Sequence, residues 1–203
     1  MNEKTINAQV RRPVNTRVLT GTAMLSAVAF ILMYLEFPIP IMPSFIKLDF
    51  SDLPALIGAF AYGPIAGVLI ELIKNLLHMF VSQSGAVGEL SNFMLGALFV
   101  LPAGIIYSLK KNKKSAVLGA ITGALVSALA SIPSNYFIVY PVYTAFMPMD
   151  AIIGMYQAIR PSTDNLLEAL VVFNAPFTFF KELISVVVTV LIYKPLSSIL
   201  KGN

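Results

Sequence analysis

The sequence predicts an all-α integral membrane protein, a six-transmembrane-helix bundle with both termini cytoplasmic. Three observations predict it. Apolar runs approaching the ~20 residues of a bilayer core follow one another along the chain. Mean hydropathy is +0.81 and 12% of the residues are charged, whereas a soluble domain carries about 25%. The cations are also segregated. Of fourteen Lys and Arg, Lys4, Arg11, Arg12 and Arg17 precede the first run, Lys110, Lys111, Lys113 and Lys114 lie mid-chain, and Lys194 and Lys201 close the chain. Segments that remain in the cytoplasm collect Lys and Arg, so these tracts orient the helices.

The first span runs from about Val18 to Leu35. Three prolines in the segment 37–43 then forbid regular helix, which places that stretch as irregular chain on or in the outer interface. Ser51 or Asp52 caps the next helix, with Pro54 in its first turn. This second helix ends at the turn signal Tyr62-Gly63-Pro64 and is short for a crossing. The third reaches about Val81, and Ser82 to Gly88 is a loop. The fourth covers Glu89 to Leu109 with Pro102 inside, and the fifth Ser115 to Tyr140 with Pro133 inside. Pro141 to Asn165 reads as a long polar loop, and the sixth span covers Leu166 to Tyr193 with Pro176 inside.

Six crossings put both ends on the basic, cytoplasmic side. Residues 1–203 then form a single membrane domain, with 1–16 as a cytoplasmic N-terminal tail and 17–200 as the bundle. Arg17 precedes an apolar stretch too long for a signal h-region, and no small-residue cleavage site follows, so no cleavable signal is expected. The pI near 9.3 does not indicate nucleic acid. The basic residues flank apolar runs, where anionic lipid headgroups of the bilayer are the fitting partner.

Small residues recur every four positions on the fifth span: Gly119, Gly123, Ser127 and Ser131, beside Ala116, Ala120, Ala124 and Ala128. Such ridges let backbones approach closely in lipid, and packing within the chain is the expected use. Ala23 and Ala27 repeat the spacing on the first span, where spacing alone does not separate internal packing from partner docking.

Polar side chains at membrane depth are costly and mark function by default. Glu71, Lys74, Asn75 and His78 share one face of the third span. Glu71 with Lys74 is either a structural pair or part of a proton path, and His78 either a packing residue or a ligand. Asn174, Thr178, Lys181 and Ser185 share a face of the sixth span. Glu89 and Asn92 open the fourth span, and Asn135 follows Pro133. At ~1.5 Å rise per residue, Asn135 lies roughly 30 Å from the inner boundary and Lys181 roughly 20 Å. Glu89, Asn92, Asn135, Asn174 and Lys181 therefore converge in the outer half, under the proline-rich loop. Lys181 has no carboxylate three or four residues away on its own helix, and Glu182 points about 100° aside. Pro176 frees the carbonyl of Val172, and Pro133 acts similarly near Asn135, as expected where helices line a cavity.

Enzymatic function has little footing. There is no phosphate-binding G-x-x-x-x-G-K-[ST] loop, no H-E-x-x-H and no G-x-S-x-G. One His and no Cys leave no ordinary zinc ligand set. No metal and no cofactor are expected. An outward pocket without an engine implies capture of a solute, with energy supplied by another subunit or an ion gradient.

Lys47-Leu48-Asp49-Phe50-Ser51-Asp52-Leu53-Pro54, followed by Gly63-Pro64-Ile65-Ala66-Gly67, resembles the substrate-binding S components of energy-coupling factor (ECF) vitamin transporters. Glu71 to His78 and Gly88 to Phe93 resemble the riboflavin-specific type in particular. The resemblance runs from about Thr20 to the end of the sixth span. It implies a six-helix bundle in the bacterial plasma membrane that binds riboflavin near the outer face. It also implies docking on a shared transmembrane coupling subunit driven by two ATP-binding subunits. The family's A-x-x-x-A motif matches Ala23 and Ala27, which implies docking there. Asn135, Asn174 and Lys181 match positions of polar ligand contacts, with first-loop residues as a lid. For a flat flavin ring, Phe45, Phe93, Tyr136 and Phe177 are candidate walls. Asp49 or Glu89 are suited to accept from ribityl hydroxyls, and Asn92 completes the candidate set. Two other readings stay open: an S component for another vitamin, or an autonomous secondary transporter with Glu71, Lys74 and His78 as its proton path.

Overall fold

The computed structural model describes residues 15–82 and 84–201, with side chains described as far as 192. The expected N-terminal tail lies outside the described residues except for its last two, and so do the side chains of Lys194 and Lys201. Helix α1 (Thr16–Tyr34) starts at Asn15, whose side chain accepts from the Arg17 N–H at 3.1 Å. Its buried stripe is Thr22, Ser26, Ala29 and Met33, spaced four, three and four residues apart. Ala23 and Ala27 face the other way and are exposed.

The proline-rich segment is more ordered than its composition suggests. Strands β1 (Phe37–Pro38) and β2 (Lys47–Leu48) pair antiparallel, Phe37 opposite Leu48 and Pro38 opposite Lys47. In a two-stranded ribbon both strands are edges, so the missing Pro38 N–H costs no ladder bond. A Glu36–Lys47 ion pair at 2.5 Å closes the ribbon.

Helix α2 (Asp52–Tyr62) is about 16 Å long by its rise, half of a bilayer core. Gly63, at φ 101°, turns the chain directly into α3 (Pro64–His78), where Pro64 occupies the first turn. A Cβ on Gly67 would sit 2.7 Å from the Ala59 Cβ, so glycine is what lets α3 lie against α2. A short 3-10 turn, Met79–Val81, ends α3. Helix α4 (Val87–Leu109) begins two residues before the expected Glu89, after Gly85 and Ala86, both in the left-handed region.

Helix α5 (Lys113–Ser134) is capped by Asn112, which accepts from the Ser115 N–H at 2.9 Å. Its small-residue ridge packs on α4. A Cβ on Gly119 would lie 2.7 Å from the Ala103 carbonyl oxygen, and one on Gly123 would lie 2.2 Å from that of Phe99. Ser127 donates to the Leu95 carbonyl at 3.0 Å. The helix widens into a π turn, Asn135–Val139, and continues as α6 (Tyr140–Tyr143).

The expected long polar loop contains a helix, α7 (Met149–Gln157), with Ile152 and Tyr156 buried one turn apart. Its nine residues, set between Pro148 and Pro161, are too few for periodicity to announce a helix. The last span repeats the design of the fifth: α8 (Leu166–Ala169), a π turn Leu170–Asn174, then α9 (Ala175–Lys201). It continues eight residues past the expected end. Among the described residues, five helical runs are long and apolar enough to cross a membrane; α2 is the short apolar one.

One apolar cluster joins α1 to α5 and α9, around Leu56, Ile70, Phe99 and Tyr107. A second gathers Val87, Val139, Tyr140, Ile152, Tyr156 and Leu170.

Filling the α4–α5 seam is expected to be costly, because a backbone carbonyl cannot step aside. Gly123→Ala should destabilise the protein by about 1–3 kcal/mol, the usual cost of overpacking. Gly154→Ala, whose Cβ would meet nothing within 4 Å, should not. Thermal unfolding of the two variants in detergent checks the contrast.

Candidate functional site

The chain between β2 and α2 is built around charge. Ser51 stands at the N-cap of α2, yet its hydroxyl makes no cap bond. It accepts instead from the Lys74 ammonium at 2.7 Å, while the Ser51 N–H donates to Asp49 Oδ1 at 2.8 Å. Lys74 Nζ also lies 2.5 Å from Asp52 Oδ1 and 2.8 Å from Glu71 Oε2. The Glu71–Lys74 pair thus exists, but Asp52, 22 residues away in sequence, is the closer partner. Lys181 on α9 reaches the same segment: its Nζ is 3.0 Å from Asp49 Oδ2 and 3.0 Å from Asp52 Oδ2. Asp52 therefore bridges two lysines from two helices. Lys74 and Glu71 are fully buried, where an uncompensated ion costs several kcal/mol. Gly96 makes the room, since a Cβ there would lie 2.3 Å from Glu71 Oε2.

Glu89 is anchored separately. One oxygen lies 2.8 Å from His78 Nδ1, and the other accepts from Ser82 at 2.8 Å and Ser84 at 3.1 Å. The two hydroxyls also organise the turn into α4, accepting from the Ala86 and Gly88 N–H groups at 3.1 and 3.0 Å. His78 is thus a partner of Glu89. Among the described residues no hydrogen bond or ion pair links it to Glu71 or Lys74, so the three side chains that the alternative proton path would use are not joined in one hydrogen-bonded chain.

Above these ions lies a cavity of about 450 Å³. Asp49, Glu89, Asn92, Asn135, Asn174, Lys181, Phe45 and Phe177 all line it. Residues from the first loop, α4, both π turns and α9 are therefore brought together as expected. Phe93 and Tyr136 are not on its wall, which corrects the expectation for both. Each side chain leaves its helix on a face that the cavity does not reach. Tyr136 is 41% exposed and stacks edge-on with Phe137, ring centres 5.0 Å apart.

Several lining residues carry no helical-face signal in the sequence. Tyr140 lies five residues after Asn135, a spacing that only a π turn brings to one side. Tyr143, Phe146 and Met147 follow it in a segment read as loop. Glu182 also contributes to the wall, although 2% exposed. Asn174 belongs to a closed set of three side chains. Tyr156 donates to Asn174 Oδ1 at 2.6 Å, Asn174 Nδ2 donates to the Tyr140 oxygen at 3.1 Å, and the two tyrosine hydroxyls bond to each other. Burial pushes the Tyr156 hydroxyl well above its ordinary pKa, so it remains a donor. Phe45 leans on this group, with ring centres 6.4 Å from Tyr140, 5.7 Å from Tyr143 and 6.2 Å from Tyr156.

The cavity lining suits an organic solute. The described residues contain no group of three His, Asp or Glu able to hold an ion. Its lysines already have carboxylate partners, while Asn92, Asn135 and Asn174 offer neutral donors and acceptors between aromatic walls.

The family model for the substrate-specific component of ECF transporters matches residues 17–193. The chain is 37% identical over 187 residues to the riboflavin transporter RibU of Staphylococcus aureus (strain TCH60), covering 92% of this chain and 93% of the relative. It is 34% identical over 183 residues to the riboflavin transporter FmnP of Bacillus subtilis (strain 168), covering 89% and 92%. A solved structure of the S component of a bacterial ECF transporter superposes with a TM-score of 0.72 at 35% identity, over 92% of this chain and 98% of that one.

Removing Lys74 leaves Asp52 short of one partner and Glu71 without any. Lys74→Met should lower stability by about 3–5 kcal/mol, the usual cost of stranding a buried charge. Lys47→Met, which breaks the partly exposed pair with Glu36, should cost less than about 1 kcal/mol. Chemical unfolding of both variants in detergent measures the difference.

Proposed function

The chain belongs to the family of ECF transporter substrate-specific components, and we propose that it is the riboflavin-binding subunit of such an uptake transporter. It is a transport component and not an enzyme. The observation that carries the riboflavin reading is the cavity of about 450 Å³ where three asparagines and a lysine face two phenylalanines. Sites for drug-sized ligands span about 300–1,000 Å³ and are mostly apolar with a few directed polar groups. Riboflavin is flat and neutral, with an apolar dimethyl edge and an amide-like edge opposite. Phe45 and Phe177 flank the ring, and Asn135 and Asn174 meet its polar edge. Asn92 and Lys181 donate to ring carbonyl or nitrogen atoms. Asp49 and Glu89 each keep lone pairs beyond their internal bonds and accept from ribityl hydroxyls.

The chain is a single multi-pass domain of the bacterial plasma membrane. The basic tracts support six crossings with cytoplasmic termini, α2 and its neighbouring loop counting as one crossing. The cavity then opens outward and captures riboflavin from outside. Ala23 and Ala27 lie on the exposed face of α1, away from the cavity, where small side chains admit a close helix neighbour. That face docks on the membrane coupling subunit, and two ATP-binding subunits supply the energy.

The purified protein in detergent should bind riboflavin stoichiometrically and quench its fluorescence. A preparation that leaves added riboflavin emission unchanged would remove the vitamin assignment. Lys181→Met should raise the dissociation constant at least about tenfold, the loss expected for a hydrogen bond to a charged donor. An unaltered constant clears Lys181 of ligand contact.

A further inference from the structure

We propose that Tyr156 is a positioning residue for the ligand, acting through Asn174 without touching the cavity. This rests on the riboflavin-binding reading of the same site. Tyr156 sits on α7, in the segment whose sequence suggests only a loop, and it is fully buried. Asn174 lines the cavity, and Tyr156 is not part of the cavity wall. The only route from its hydroxyl to a bound molecule is through its partners.

Those partners form a circuit in which every group both donates and accepts. Each tyrosine has one hydroxyl proton. Tyr156 uses its proton on Asn174 Oδ1 at 2.6 Å, so the proton shared by the two hydroxyls comes from Tyr140. Tyr140 in turn accepts from Asn174 Nδ2 at 3.1 Å. Running the circuit the other way requires the amide to flip, and either sense occupies one N–H and one lone pair of Asn174. The amide plane is held, and a second N–H and a second lone pair remain for a guest. That is the complement of an amide-like edge.

The backbone supplies a reason for the strut. Asn174 is the last residue of the Leu170–Asn174 π turn, where the Ala175 N–H bonds to Leu170, five residues back. Pro176 offers no N–H to the carbonyls left behind. A side chain projecting from such a turn has fewer backbone bonds fixing its root than one on a regular helix. Tyr156 is fixed by its own packing, tilted against Phe173 with ring centres 5.3 Å apart and edge-on to Phe45 at 6.2 Å. The outer helix thus serves as a brace for the one inward amide of the last span.

Tyr156→Phe keeps the ring and removes the hydroxyl. Fluorescence titration should show riboflavin affinity falling about five- to tenfold, the scale of one neutral hydrogen bond. In an Asn174→Ala background the same change should have no further effect. Losses that simply multiply would mean that Tyr156 acts only on packing, and would overturn the proposal. A second readout needs no ligand. In protein labelled with 15N-asparagine, the side-chain amide pair that disappears in Asn174→Ala should shift in Tyr156→Phe, and also in Tyr140→Phe, which opens the circuit from its other side. An amide pair unmoved by both substitutions overturns the proposal. If the wild-type protein fails to quench riboflavin, the vitamin reading falls, and the amide resonance alone decides the role of Tyr156.

Discussion

The fold depends on Asp52 standing between two lysines. Lys74 comes from α3 and is fully buried, while Lys181 comes from α9 and lines the cavity with its side chain 11% exposed. Lys74 has no solvent to fall back on and must have an anion, and α2 is placed where its first residue supplies one to both lysines. The consequences spread outward. Ser51 gives up capping α2 and serves Lys74, and Asp49 takes over the Ser51 N–H while contacting Lys181. The segment from Asp49 to Asp52 is thereby held to both helices. Glu71 is tolerated only because Gly96 leaves space for its carboxylate.

Once those ions are matched internally, what remains for a guest is mostly neutral. Lys74 and Glu71 do not reach the cavity wall, and Glu89 is engaged by His78, Ser82 and Ser84. The asparagines on α4 and the two π turns supply the unspent capacity. An ionic guest would need to compete with bonds already made, whereas a neutral guest with amide and hydroxyl groups needs only the donors and acceptors left over. The charge network and the polarity of the cavity are therefore one design. Buried ions fix the frame, and uncharged amides face the cavity.

Much of this was legible in the sequence, and what was not has physical causes. Apolar runs, prolines and basic tracts marked the helices within a few residues. The inward asparagines were visible because polar groups at membrane depth are rare, and Asn135 and Asn174 each lay beside a proline. The partners of Lys181 were not visible, because Asp49 stands 132 residues away and only the assembled fold brings them together. Tyr140 was hidden by the π turn, which breaks the 3.6-residue rhythm that assigns faces. Phe93 and Tyr136 were chosen as aromatic walls for a flat ring, a choice that does not fix which way a side chain points, and Glu182, expected to point aside from Lys181, shares its wall. Helix α7 was lost because two buried positions, Ile152 and Tyr156, are too few to outweigh the prolines around them.

The walls of the cavity are not held equally. Its floor is tied by buried ion pairs, where losing one partner costs several kcal/mol. Its rim is tied by Glu36 and Lys47, whose side chains are 23% and 24% exposed, and a pair so near water is worth about 0–1 kcal/mol. Between these ties lies the loop that carries Phe45, which contributes aromatic contacts to Tyr140, Tyr143 and Tyr156 and no buried ion. Any opening that admits a flat molecule therefore costs least if residues 37–46 swing away from the tyrosines while Asp49 to Asp52 stay fixed. The ties along the chain are thus weak up to Lys47 and strong from Asp49 to Asp52.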